Sequence, residues 1–322
     1  MPARDPSALG LSFDRGVPRQ LVHKAAVEQV LVTDFLDLGQ WEFACAGQAP
    51  RAHAYFNDTL SDSYDTLMLL ESGRQAFIRA VHELVGVPRT SQFVFSELDM
   101  SVRDREILRV GAEPAMLVWQ ARLSDAREIR GELAAMRAAA ELYVDGLHCL
   151  DIAGSGAFVN PRIYRLLRRR SLRAGPADPP PHASRVDPRS VGRRLSANVV
   201  IDAVVSQDGG CSADVVVDEQ HATFFDHPLD HVPAMLLVEA MRQTALSAAS
   251  QTHDLKVSEA AVIGCRVEYG RYAELDARLR CSARAGEARR TEMGIEVRVA
   301  VVLEQRGAEL ASGELTLAVM RP

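Results

Sequence analysis

Leu69-Leu70-Glu71-Ser72-Gly73-Arg74-Gln75 and Leu237-Val238-Glu239-Ala240-Met241-Arg242-Gln243 are two copies of one pattern, a Glu, an Arg and a Gln set inside an apolar run. At 3.6 residues per turn, positions i, i+3 and i+4 share one face of a helix. The match extends outward at a constant offset of 168, with Leu67-Met68 on Met235-Leu236 and His53-Ala54-Tyr55-Phe56 on His221-Ala222-Thr223-Phe224. Further on the offset drifts to 157, where Ser155-Gly156 meets Ser312-Gly313. A self-match this long makes each half one copy of the same domain.

Both copies read in the same order. Segments 27–35 and 195–205 have strand character, an irregular stretch rich in His, Asp and Pro follows, and apolar helices are expected near 65–85 and 233–252. Strands then return at 92–98, 115–123, 138–147 and 150–159, and at 260–268, 274–282, 292–305 and 308–319. One long helix followed by an antiparallel meander predicts an α+β chain of two tandem hotdog domains, each a curved sheet wrapped round its helix. The expected boundaries are 1–160 and 191–322, joined by an Arg/Pro-rich linker over 161–190. From Asn160 to Arg194 there are ten arginines against two aspartates, and Gly175-Pro176-Ala177-Asp178-Pro179-Pro180-Pro181 excludes a helix or central strand there. This run reads as a solvated connector, with attraction for phosphate, an acidic carrier protein or RNA as the other reading.

Composition narrows the class. Of 322 residues 47% are hydrophobic, and 43 acidic side chains outnumber 37 basic ones for a net charge of −6, which argues against bulk nucleic-acid binding. All the basic residues but Lys24 and Lys256 are arginine, a bias a GC-rich genome produces by itself. The five cysteines show no C-x-x-C spacing, which removes a zinc ribbon or a disulfide scaffold. With no apolar leader at the first residues and no run of 18 apolar residues, the reading is a cytoplasmic protein that does not enter a membrane.

Burying Glu71 and Glu239 costs several kcal/mol unless each is paired. Either Glu and Arg pair to tie the helix to the sheet, or the repeated triplets Glu71/Arg74/Gln75 and Glu239/Arg242/Gln243 line a cleft. In the second reading Glu239 is the base, its pKa raised by apolar surroundings, Arg242 holds an anion and Gln243 orients the Glu or a carbonyl. Glu71, Arg74 and Gln75 would act likewise in the other copy. His53, His221, His227 and His231 are candidates for catalysis or substrate binding. Pro228 breaks the helix that would place His227 and His231 on one face, so no metal site is expected.

The stretch Phe224-Phe225-Asp226-His227-Pro228 through Glu239-Ala240-Met241-Arg242-Gln243 resembles the β-hydroxyacyl-ACP dehydratases, hotdog enzymes with the pattern F-x-G-H-F-P to E-A-M-A-Q. Two departures set it apart: the spacing from His227 to Glu239 is shorter, and Arg242 replaces a small Ala. Taken whole, the chain is similar to the AfsA-type family, the A-factor or γ-butyrolactone synthases of actinobacterial signalling with their butenolide- and furan-making relatives. The residues that carry the likeness are Leu21-Val22-His23-Lys24-Ala25, Pro50-Arg51-Ala52-His53-Ala54-Tyr55-Phe56 and the doubled E-x-x-R-Q. The resemblance implies an acyltransferase that moves a β-ketoacyl group from acyl carrier protein to dihydroxyacetone phosphate, whose ester condenses to a butenolide phosphate. It implies no cofactor beyond the phosphopantetheine of the carrier, and partners limited to that carrier, the phosphorylated triose and a homodimer mate. The alternatives are a dehydratase or thioesterase acting on acyl-thioesters, or a non-catalytic protein that binds a lactone or acyl carrier protein.

A lone hotdog sheet leaves an edge and part of its helix uncovered, so the copies are expected to pack as an intramolecular pseudo-dimer. The loop after His53 would then face Glu239, and the His227 to His231 loop would face Glu71. Residues 1–165 and 190–322 expressed separately should be insoluble or self-associating, as read by size-exclusion chromatography; two folded, monomeric halves would contradict the pairing.

Overall fold

The computed structural model describes residues 4–129, 131–171, 184–291 and 294–319. The chain forms two compact units, Met1–His53 with Ser63–Arg168, and Ala54–Asp62 with Arg169–Pro322. Segment Ala54–Asp62, which follows His53 in the first copy, therefore belongs to the second unit. No helix among the described residues is long and apolar enough to cross a membrane.

The first unit contains β1 (Val32–Gly39), β2 (Glu42–Ala49), α1 (Thr66–Glu83), β3 (Gln92–Val102), β4 (Ala115–Ile129), β5 (Glu132–Val144) and β6 (Leu147–Val159). Its strands pair antiparallel in the order β1-β2-β4-β5-β6-β3. In the second unit lie β7 (Ile201–Gln207), β8 (Gly210–Val215), α3 (Ala234–His253), β9 (Ala260–Tyr269), β10 (Leu279–Thr291), β11 (Gly294–Gln305) and β12 (Ala308–Val319). They pair antiparallel in the corresponding order, β7-β8-β10-β11-β12-β9. The internal repeat is thus a repeat of topology as well as of sequence.

Each sheet wraps a helix that is buried on nearly all sides. From Leu236 to Ala249 every residue of α3 is buried, and α1 buries Thr66 to Ser72 and most of the turns that follow. A helix apolar all round belongs in a core. Asp65 caps α1 by accepting from the Leu67 N–H at 2.9 Å. α3 follows Pro233, which stands at the cap position, one residue before the helix and not within its first turn.

Strands 27–35 and 195–205 begin later than their sequence suggests. Val27–Gln29 and Ser196–Asn198 form single 3₁₀ turns, and the strands start at Val32 and Ile201. The reason lies on the helices. The Gln75 amide donates to Gln29 O at 2.8 Å and accepts from Leu31 N at 2.9 Å, while Gln243 does the same to Asn198 O and Val200 N, at 2.9 Å each. A side-chain amide takes the main-chain groups a neighbouring strand would otherwise take. Gln305 likewise holds Glu274 N and O, at 2.7 and 2.9 Å, so β10 starts at Leu279 and not at Glu274.

The segment read as a solvated linker contains helix α2 (Pro161–Ser171) and, capped by Asp187, a 3₁₀ turn at Pro188–Val191. Asn160 Oδ1 accepts from the N–H groups of Arg162 and Ile163, and Pro161 opens the first turn, a sound start for a helix of arginines. The Gly/Pro run 175–181 lies outside the described residues. Arg168 and Arg193 are not solvated: they are 4% and 0% exposed.

The copies fill their cores differently at one point. Trp119 on β4 pairs with Cys45, and Cys281 on β10 pairs with Ala213; Cys45 and Ala213 are mates at the repeat offset of 168, so Trp119 and Cys281 hold equivalent sheet positions. The helix residue against Trp119 is Gly73, whose repeat mate on α3 is Met241. The bulk sits on the sheet in one copy and on the helix in the other. A Cβ at Gly73 would lie 3.0 Å from the Trp119 ring, which is 1% exposed and fixed by its Nε1–H donating to Ser72 Oγ at 2.9 Å. Ala is the better helix former by about 1 kcal/mol, yet overpacking costs about 1–3 kcal/mol where the neighbour cannot move. Gly73→Ala should therefore lower the urea midpoint, and Gly73→Ala in a Trp119→Leu background should recover part of the loss; a stabilised single variant would contradict this packing.

Candidate functional site

Glu239 is fully buried, 0% exposed, near the middle of α3. Two guanidinium groups meet on it. Arg242, one turn on, places Nη2 2.9 Å from Oε1 and 2.8 Å from Oε2, and Arg193 donates through Nε to Oε1 at 3.0 Å. Gln243 Nε2 also donates to Oε1. Arg193 is in turn anchored by the second unit's inserted segment, donating from Nη1 to Tyr55 O at 2.8 Å and Asp58 O at 3.1 Å, with its guanidinium 4.2 Å from the centre of the Tyr55 ring.

Glu71 on α1 repeats the arrangement. Arg74 donates through Nε to Oε2 at 2.7 Å and through Nη2 to Oε1 at 2.8 Å, Gln75 Nε2 donates to Oε1 at 2.9 Å, and Lys24 Nζ stands 3.0 Å from Oε1. The second cation is equivalent in the two copies. Gln75 grips residues 29 and 31 where Gln243 grips 198 and 200, an offset of 169 that also separates Lys24 from Arg193. Lys24 and Arg193 are thus repeat mates, and each enters just ahead of its sheet. In a chain whose only other lysine is Lys256, the first copy keeps Lys where the second has Arg.

Charge sets the protonation of these groups. Burial alone would push both carboxyls up, but Arg74 with Lys24, and Arg193 with Arg242, outweigh it and hold Glu71 and Glu239 below the ordinary value. The direction expected for Glu239 from its apolar surroundings is therefore reversed, because the surroundings include two cations. Both glutamates are ionised at neutral pH and are poor proton acceptors. They fix the arginines instead. Arg74 is the more open of the two, its side chain 21% exposed against 10% for Arg242. Gln75 and Gln243 hold main chain and carboxylate together.

The histidines separate. His221 Nδ1 accepts from Thr223 N and Phe224 N, so Nε2 carries the proton and donates to Asn198 Oδ1 at 3.1 Å. Asn198 Nδ2 then donates to Asp58 Oδ2 at 2.8 Å and Ala54 O at 2.9 Å, and Asp58 also accepts from Arg194 N and Leu195 N. His221, kept neutral mainly by burial, is a strut of the inserted segment. His53 is half-buried, and burial lowers its pKa too, against the pull of Glu28 and with the push of Lys24. His227 and His231 each pair with the aspartate before them, Asp226 and Asp230, and His231 packs edge-on to Tyr272.

The loop after His53 does reach the Glu239 cluster, through Tyr55, Asp58 and Arg193. Sequence reasoning passed over Arg193, Asp58, Asn198 and the partner role of Lys24. The signal was present in the repeat: carried upstream with a one-residue shift, it sets Lys24 on Arg193.

Fold and clusters define a protein of two tandem hotdog domains, each carrying a buried glutamate clamped by two cations. The model of the A-factor biosynthesis hotdog domain (AfsA) matches residues 9–160 and again 175–321, and the chain belongs to that family. It is 37% identical over 262 residues, covering 81% of this chain and 84% of the relative, to a 2-oxo-3-(phosphooxy)propyl 3-oxoalkanoate synthase of Streptomyces virginiae. A protein of the same name from Streptomyces coelicolor is 31% identical over 71% of each chain. Among solved structures, a putative oleoyl thioesterase from Lactobacillus plantarum superposes with a TM-score of 0.53 at 10% identity, over 87% of this chain and 97% of its own. That likeness bears on the fold alone. Relatives named as synthases make this family one of enzymes.

A carboxyl held below its ordinary value stabilises fully above the unfolded value of 4.5 and loses that contribution as pH falls through the folded value. Glu71→Gln and Glu239→Gln should each lose about 3–5 kcal/mol at neutral pH, because two cations are left without their carboxylate. The deficit against wild type should shrink as pH falls below 4.5, where these carboxyls take up protons in the unfolded chain while the clamps still hold them ionised in the folded one. Urea unfolding at neutral and at acid pH measures it; a deficit independent of pH would contradict the ionised clamp.

Proposed function

We propose that the chain is an acyltransferase that moves a 3-oxoacyl group from the phosphopantetheine thioester of an acyl carrier protein to the primary hydroxyl of dihydroxyacetone phosphate. The thioester C–S bond breaks, an ester C–O bond forms, the hydroxyl proton passes to a base and then to the departing thiolate. The product is the 3-oxoalkanoate ester in the relatives' name, and its condensation leads to a butenolide phosphate. The observation that carries this reading is the clamped arginine. A guanidinium fixed by a buried carboxylate is pre-organised for the planar, bidentate grip that a phosphate oxygen pair takes.

In this reading the first copy supplies the site. Arg74 holds the phosphate, with Glu71 and Lys24 keeping its guanidinium in place, and Arg242 has the equivalent position in the second copy. His53 takes the hydroxyl proton. Its lowered pKa keeps the imidazole neutral, and so able to accept, at pH values where an ordinary histidine is partly charged.

Mass spectrometry of protein incubated with a 3-oxoacyl thioester, with and without dihydroxyacetone phosphate, tests the reaction: ester should form only with the triose phosphate. Arg74→Ala should weaken dihydroxyacetone phosphate by about 2–5 kcal/mol, with less effect on dihydroxyacetone, which brings no phosphate. His53→Ala should lower kcat by roughly 10²- to 10⁴-fold while the variant stays folded. The acid limb of wild-type kcat/KM should fall below 6.5, the ordinary histidine value. Free acid as the sole product, indifferent to the triose, would mark a thioesterase instead.

A further inference from the structure

Helix α2 turns a basic, partly apolar face to solvent. Its sequence, PRIYRLLRRRS, holds five arginines and no acidic residue. Tyr164 and Arg168, one turn apart, are its buried edge at 8% and 4% exposure. On the other side Arg162 and Arg165 are exposed, and beside them on the helix surface stand Ile163 and Leu166, 51% and 61% exposed. A solvated connector needs neither a capped helix nor an anchored edge, and it gains nothing from presenting two large aliphatic side chains. A small exposed apolar patch flanked by charged residues is the make-up of a protein-binding surface.

We propose that α2 is the docking helix for the acyl carrier protein that delivers the acyl group, an inference that rests on the acyltransferase reading. The partner's chemistry is an acidic helix whose carboxylates pair with Arg162 and Arg165 beside an apolar contact with Ile163 and Leu166. With a net charge of −6 the chain as a whole repels an acidic partner. A local basic face therefore selects where such a partner lands, raising the productive encounter rate and fixing orientation. The same negative total disfavours nucleic acid, whose binding draws on many phosphate contacts at once. An eleven-residue helix is three turns long and offers a bilayer little apolar area.

Steady-state kinetics of Arg162→Glu/Arg165→Glu and of Leu166→Ser, with two acyl donors, tests the assignment. With the 3-oxoacyl group on carrier protein, KM should rise about tenfold or more in the double variant, and its dependence on salt should flatten. With the same group on a small pantetheine thioester, kcat and KM should match wild type, as should Tm and the KM for dihydroxyacetone phosphate. An unchanged KM for the carrier-bound donor overturns the proposal. So does binding of wild type to phosphatidylglycerol vesicles or to RNA that the double variant loses while its carrier-protein kinetics stay intact. Should wild type esterify with neither donor, the acyltransferase reading fails on its own. The docking assignment then stands or falls on direct binding of holo carrier protein: about tenfold weaker to the double variant supports it, and equal binding to both overturns it.

Discussion

A buried glutamate sits at the centre of each hotdog domain, and it can stay there only because two cations reach it. One cation comes from the helix, three residues on; the other comes from the segment that leads into the sheet. Removing a single member of such a cluster costs about 3–5 kcal/mol, a large share of the ~5–15 kcal/mol by which a domain is stable. The clamp therefore joins three things that are distant in sequence: the middle of the helix, the entry turn, and, through Gln75 or Gln243, the start of the first strand. In the second unit it also gathers segment Ala54–Asp62, which Arg193 and Asn198 hold by hydrogen bonds to Tyr55, Asp58 and Ala54, while His221 braces Asn198 and packs edge-on to the Tyr55 ring.

Shared architecture lets the differences between the copies speak about function. The first keeps a lysine on its glutamate, a more open arginine and a histidine outside the His221–Asn198 strut. The second replaces the lysine with a fully buried arginine and spends its histidine on the inserted segment. Gly73 with Trp119, against Met241 with Cys281, shows that the cores diverged while the clamps did not. Conserving a costly buried charge through such divergence is what a site needs if its arginine must be held rigid for an anionic substrate.

The repeat and both central helices were legible because apolar residues at helical spacing are a strong signal and the polar triplet recurs at fixed offset. Strands β2 and β8 were not. Nearly every residue in them is buried, so they lack the alternation that marks a strand with one wet face. Arg193 was hidden among ten arginines that composition makes look alike, and α2 was hidden in the same run. The pKa direction of Glu239 was misread for a related cause. An apolar neighbourhood in sequence says nothing of cations that arrive from 46 residues away, as Arg193 does.

A double-mutant cycle on Glu239 and Arg193 tests the clamp most directly, with Glu239→Gln, Arg193→Met and their combination compared by urea unfolding. If the carboxylate and guanidinium are buried because each neutralises the other, both single variants lose several kcal/mol, and the double variant loses clearly less than their sum. Additive losses would mean that the two residues are buried for separate reasons, and the clamp would not be what holds the helix, the entry turn and the inserted segment together.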